Sequence, residues 1–123
     1  MPWYILKQPD GRFAAFSSVV DNFEMCDAEL DEALDYCRDR MGRYEAAAKV
    51  DRGANDEPLE NLGAPSAADG LNRWRRSLET VALIHGAAAL RATLARFEGL
   101  DEAARGGWAR EALAALPAGE VRP

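Results

Sequence analysis

The hydrophobic residues change period along the chain, and each change predicts an element. The run Trp3-Tyr4-Ile5-Leu6-Lys7 is dense in β-formers, and Gln8-Pro9-Asp10-Gly11 comes next. Pro9 and Gly11 stand at the second and fourth positions of a type I turn. Arg12-Phe13-Ala14-Ala15-Phe16 returns as a second strand, so the segment reads as a β-hairpin. Val19-Val20-Asp21-Asn22-Phe23 is a candidate third short strand. A lone hairpin is marginal in water, so this one must pack on helices.

From residue 27 the pattern turns helical. Leu30, Ala33, Leu34, Cys37, Met41, Tyr44 and Ala48 predict an amphipathic helix of about six turns, capped by Asp27 and stopped near Gly53. Its early acids (Glu29, Asp31, Glu32) and later bases (Arg38, Arg40, Arg43, Lys49) suit the helix dipole. Residues 53–65, with Gly53, Pro58, Gly63 and Pro65 among acids, read as an acidic linker pinned by Leu59 and Leu62. Ser66-Ala67-Ala68-Asp69 has the form of a capping box and predicts a long helix over 66–98, carrying Leu71, Trp74, Leu78, Val81, His85, Leu90, Leu94 and Phe97. Asp101 caps a last helix with Ala104, Trp108, Ala112 and Leu116 on one face. The Gly106-Gly107 pair weakens its first turn.

The expected fold is therefore α+β and helix-rich: an N-terminal hairpin, or three short strands, packed on about three helices. It forms one domain over 1–116, with 117–123 as a disordered tail. The expected core includes Tyr4, Leu6, Phe13, Leu30, Leu34, Cys37, Met41, Leu78, Val81, Leu90, Leu94 and Trp108.

Composition narrows the setting. The chain has 123 residues, 48% hydrophobic and 29% charged, as in an ordinary globular domain. Met1-Pro2-Trp3-Tyr4 lacks the basic and apolar regions of a signal peptide, and the apolar run from Val81 to Leu90 falls short of a membrane span. The expected location is the cytoplasm. Cys26 and Cys37 on one helix would stand about 16 Å apart, too far for a disulfide, and are expected as reduced, buried thiols.

The net charge of −6 is uneven. Residues 1–52 hold 7 basic and 11 acidic side chains; residues 71–123 hold 8 arginines and 6 acids. The acid is concentrated in the first seventy residues, which bears on partners.

Several chemistries lack their residues. One histidine and two cysteines at this spacing match no metal motif, and there is neither a phosphate-cradling Gly-rich loop nor a nucleophile elbow, so no cofactor and no metal are expected. His85, paired with Asp21 or Glu79, is the one candidate base for a small hydrolase, beside chance carboxylate pairs among 21 acids. Its apolar neighbours argue instead for a structural histidine. Arg73-Trp74-Arg75-Arg76 has the composition of a single-strand stacking site, but Trp74 lies at core spacing from Leu71 and Leu78 and the net charge opposes phosphate binding. Direct nucleic-acid contact and membrane contact are not expected.

The most informative feature is the ladder Asp27, Asp31, Asp35 and Asp39, four residues apart on one predicted face, with Glu24 beside it. Like charges at this spacing each cost a few tenths of a kcal/mol. The rungs are about 6 Å apart, comparable with successive phosphates of a strand. Glu24, Asp27, Asp31, Asp35 and Asp39 are thus the candidate partner-binding residues, facing a protein with a basic surface. The alternative is a solvated face partly neutralised by Arg38 and Arg43. A second functional expectation is a self-associating structural protein, a homodimer included, that uses the Ala-rich helix over 66–98.

Residues 4–45, from Tyr4-Ile5-Leu6-Lys7-Gln8-Pro9-Asp10-Gly11 through Ser17-Ser18-Val19-Val20-Asp21-Asn22-Phe23 into the acidic helix, resemble small acidic phage and mobile-element proteins of the anti-CRISPR type. The resemblance covers about a third of the chain and is one of general character. It implies an inhibitory binding protein without cofactor, whose acidic helix occupies a basic nucleic-acid-binding surface of a host complex.

Overall fold

A computed structural model describes residues 2–59, 67–117, 119 and 122–123. Three strands, β1 (Trp3–Lys7), β2 (Phe13–Ser17) and β3 (Asn22–Ala28), precede five helices: α1 (Leu30–Arg38), α2 (Arg43–Ala54), α3 (Asn72–His85), α4 (Ala87–Leu94) and α5 (Glu102–Ala114). The fold is α+β, as the periodicity predicts. The sheet is antiparallel in the order β1-β2-β3, so β2 is central. The Pro9-Asp10-Gly11 turn is closed by Gly11 N–H donating to the Gln8 carbonyl at 2.9 Å, with Gly11 at φ 87.

Alternate residues of each strand point to opposite faces, and both faces are covered. Ile5, Ala15 and Ala28 meet Ala33, Cys37, Ala46 and Val50 of α1 and α2. Leu6, Ala14, Phe16 and Phe23 meet Trp74, Leu78, Val81, Leu90, Leu94 and Phe97 of the α3–α5 side. The sheet is the middle of three layers, with α1 and α2 on one side and α3, α4 and α5 on the other.

Several expectations are corrected. The helix expected over 27–53 is two helices joined by Asp39–Gly42, where Arg40 and Met41 both donate to the Cys37 carbonyl. The break lets two short helices lay their small residues on the same sheet face, which one straight rod could not do. Asp27 is no helix cap: it lies in β3 at φ 58, within a bulge where Phe13 and Ala15 pair with Ala28 and Met25. Gly53 does not stop the helix but sits in the last turn of α2, where a Cβ would fall 2.5 Å from the Ile5 carbonyl oxygen. Only a bare Cα lets α2 approach β1 that closely.

The helix expected over 66–98 is likewise broken, at Gly86. Its φ of 99 and ψ of 173 belong to a region essentially reserved for glycine. The Ala87 N–H freed by the break donates to the Arg122 carbonyl at 2.8 Å, so Arg122, in the expected tail, returns to the domain. Ser66, the expected cap, lies outside the described residues. Within the expected linker, Asp56 is buried at φ 50 and accepts from the backbone N–H groups of Asn72 and Arg73 at 2.9 and 2.8 Å, fastening the start of α3. The two glycines of α5 leave that helix continuous. Of the expected core, Leu30 is corrected: it is 55% exposed at the first position of α1.

Candidate functional site

Tertiary structure divides the acidic ladder. Asp27 is taken up by the fold. Its backbone N–H donates to Gln8 Oε1 at 2.7 Å, and its carboxylate accepts from Gln8 Nε2 at 3.0 Å and the Glu98 N–H at 3.1 Å. Arg12 Nη2 lies 3.3 Å away, leaving the Asp27 side chain 12% exposed. This network ties the hairpin turn to the segment after α4, and Asp10 packs against Gly99 within it. Asp27 is thus removed from the candidate partner surface.

Asp31, Asp35 and Asp39 stay together and exposed, Asp39 as the C-cap of α1. At 100° per residue they share an arc with Glu32 and Arg38, while Ala33 and Cys37 face the sheet. Arg38 pairs with Asp35 at 3.3 Å; both are solvated, so this pair neutralises little. Glu24 is exposed on β3 and accepts from the Tyr36 hydroxyl at 2.6 Å. Burial and that carboxylate push the Tyr36 hydroxyl up to about 12. Glu32 accepts from the Glu29 N–H at 3.1 Å, closing the first turn.

Two residues that the sequence pattern places in the interior are exposed on these helices. Leu30, at the first position of α1 and on the same side of the helix as Ala33 and Cys37, is 55% exposed, and Tyr44, in the first turn of α2, is 89% exposed. Exposed apolar and aromatic side chains on the same two helices as an acidic arc have the composition of an interface. The signal for Leu30 was its place one residue after the helix cap, where a side chain projects past the layer it would pack on. Detecting it required knowing that the helix starts at Leu30 and not at Asp27.

The other candidates go elsewhere. Trp74 is fully buried, edge-on to Phe97 at 4.9 Å and to Trp108 at 5.9 Å, and its Nε1–H has no hydrogen-bond partner among the described residues. Arg73 is buried and donates to the carbonyls of Ile5 at 2.9 Å and Glu57 at 2.7 Å, covering the outer edge of β1. Arg75 holds Asp69 at 2.7 and 2.8 Å and Glu111 at 2.6 Å. That fork holds the Asp69 carboxyl down to about 2. Only Arg76 of this group is exposed and unpaired among the described residues, so these side chains do not make a stacking platform. His85 is exposed with Nε2 2.9 Å from the Val20 carbonyl oxygen, and neither Asp21 nor Glu79 bonds it. Burial raises Glu79, whose nearest charges are Arg76, Glu111 and Arg75. Cys26 packs toward the aromatic side of the sheet and Cys37 lies in the other core; both are free thiols pushed up by burial.

Among the described residues no group of three His, Cys, Asp or Glu side chains could hold a metal ion, and no helix is long and apolar enough to cross a membrane. Compared with known proteins, the chain matches no family model, no curated protein and no solved structure.

Proposed function

We propose that this protein is a binding module whose α1 surface docks on a basic face of a partner protein, of the kind that otherwise holds a nucleic acid. The observation that carries the reading is the arc of exposed carboxylates Asp31, Glu32, Asp35 and Asp39 on one side of α1. Carboxylates gathered on one face supply orientation and encounter rate toward a basic partner. The acids stand there at little structural cost: Asp31 and Glu32 sit at the positive end of α1, and the helix packs on the sheet through Ala33, Leu34, Tyr36 and Cys37, none of them acidic.

The test is capture of partners from a nuclease-treated bacterial lysate by the tagged wild-type chain and by Asp31→Lys/Asp35→Lys. A basic partner retained by the wild type, released by salt and lost by the variant is the expected result. Equal capture by both proteins overturns the reading.

A further inference from the structure

A groove among the described residues lies on the far side of the sheet from α1. It measures about 300 Å³ between α4 and α5, with Leu94, Ala109 and Leu113 along its floor and Arg91, Arg105 and Arg110 around it. Glu102 is the one acid among its lining residues. Like Arg40, Arg43, Arg73 and Arg76, none of the three arginines forms an ion pair among the described residues; what marks the groove is that three guanidinium groups come to one place in a chain of net charge −6. Arg105 is held in place by donating to the carbonyls of Leu94 at 3.2 Å and Phe97 at 3.0 Å, which closes the end of α4. Arg91 and Arg110 are exposed.

The glycine pair of α5 belongs to the same groove. Neither Gly106 nor Gly107 has a positive φ, so the backbone does not require glycine there. A Cβ on Gly106 would stand 3.3 Å from Arg110 Nη1, and one on Gly107 4.0 Å from Nη2. The bare helix surface lets the Arg110 guanidinium lie along α5 beside the groove. Glycines inside a helix weaken it, and the one visible consequence of these two is room at this place.

Guanidinium groups around a groove fit a helix that presents carboxylates on one face. The same chain presents one: α1, with the exposed carboxylates Asp31, Glu32, Asp35 and Asp39. The lengths agree, since nine residues of α1 span about 13 Å and the groove from Glu102 to Leu113 about 16 Å. The two surfaces cannot meet within one molecule, because α1 packs on one face of the sheet and α4 and α5 on the other. We infer that the α4–α5 groove is the docking site for α1 of a second copy of this chain. The contact joins two different surfaces, so it is head-to-tail, and opposite placement prevents a closed pair; copies extend into a chain or a ring. This rests on α1 being a docking surface, as proposed above, and gives that surface a second partner.

Sedimentation of the full chain over a range of concentrations and salt tests it. Asp31→Lys/Asp35→Lys (the α1 variant) and Arg91→Glu/Arg110→Glu (the groove variant) alter exposed side chains only, and circular dichroism checks that both fold. The wild type is expected to grow beyond its 13.4 kDa monomer with concentration and to dissociate in high salt. Each variant alone is expected to remain monomeric. An equimolar mixture is expected to associate as the wild type does, because the intact α1 of one variant meets the intact groove of the other and their two reversed surfaces complement each other. A chain carrying all four reversals is expected to associate again. A monomeric wild type at every concentration overturns the inference, as does association of either folded variant by itself. If the wild type is monomeric while the α1 variant alone loses its lysate partner, the second copy is excluded and the docking role of α1 stands.

Discussion

The two faces of the sheet are built from different materials. On the α3–α5 side, Phe16, Phe23, Trp74 and Phe97 interlock at centroid distances of 4.9 to 5.8 Å, mostly edge-to-face, and Tyr4 and Trp108 extend the set. On the α1–α2 side the buried residues are Ile5, Val50, Cys37 and four alanines. Aromatic side chains bury far more surface per residue than alanines do, so the first side carries most of the hydrophobic stabilisation. The second holds two short helices close to the sheet through small residues, and it is there that Leu30 and Tyr44 remain exposed. One face anchors the fold, while the other presents a thin, charged helix outward.

Cutting each core once puts this asymmetry at greatest risk. Trp74→Ala is expected to cost about 3–5 kcal/mol, and Val50→Ala about 2 kcal/mol, because the volumes removed differ so much. Urea midpoints measure both, and a larger loss at Val50 would reverse the assignment of the faces. Next in size is Gly53→Ala, expected to cost about 1–3 kcal/mol by forcing α2 off β1, since the added Cβ meets the Ile5 backbone at 2.5 Å.

Tyr4→Phe removes a 2.7 Å hydrogen bond to Ser77 and is expected to cost about 1 kcal/mol at neutral pH. Burial pushes the Tyr4 hydroxyl up from its ordinary 10.0 to about 12. Because the folded value is the higher one, the neutral phenol's contribution is complete below pH 10 and is lost as pH rises through about 12. The stability gap between wild type and Tyr4→Phe should therefore narrow over that alkaline window in denaturant titrations; a constant gap would show that Tyr4 does not carry the alkaline loss.

Smaller still is Asp69→Asn. The Asp69 carboxylate is depressed from 3.8 to about 2 by Arg75, so its contribution is present above pH 3.8 and is lost as pH falls through about 2. The Asp69 side chain is 43% exposed, which limits the effect to a few tenths of a kcal/mol, read as the difference between the two proteins' acid-unfolding curves. The smallest effect belongs to Asp31→Lys/Asp35→Lys, expected to leave thermal stability within about 0.5 kcal/mol of wild type, because neither carboxylate supports the core. A large loss there would mean that α1 is held by its charges and not by the small residues it lays on the sheet.

Much of the fold was legible because its signals are local. Pro9 and Gly11 mark the hairpin turn, the shift of apolar period marks where strands give way to helices, and Asp101 caps α5 by accepting from the Ala104 N–H at 2.8 Å. The candidate surface was legible only in part. Asp31, Asp35 and Asp39 could be placed together from their spacing, but Asp27 shares that spacing and belongs to a strand. Its partners, Gln8, Arg12 and the Glu98 N–H, lie far away in the sequence, and no local pattern announces them. The groove was illegible for the same reason: Arg91 and Arg110 stand on different helices and come together only when α4 and α5 pack.

Local pattern in the amino-acid chain is enough for the class of fold, the hairpin, the helical character of the residues beyond the sheet, and a separation of charge between an acidic first part and a basic last part. These depend on turn chemistry, periodicity and composition, which act over a few residues or over none in particular. Packing settled where the long helices break, which carboxylates are consumed by the fold and which face outward, and that the basic groove and the acidic helix lie on opposite sides of one sheet. Those outcomes depend on close approach between distant segments: Gly53 against Ile5, Gly86 beside Arg122, and Asp27 under Arg12.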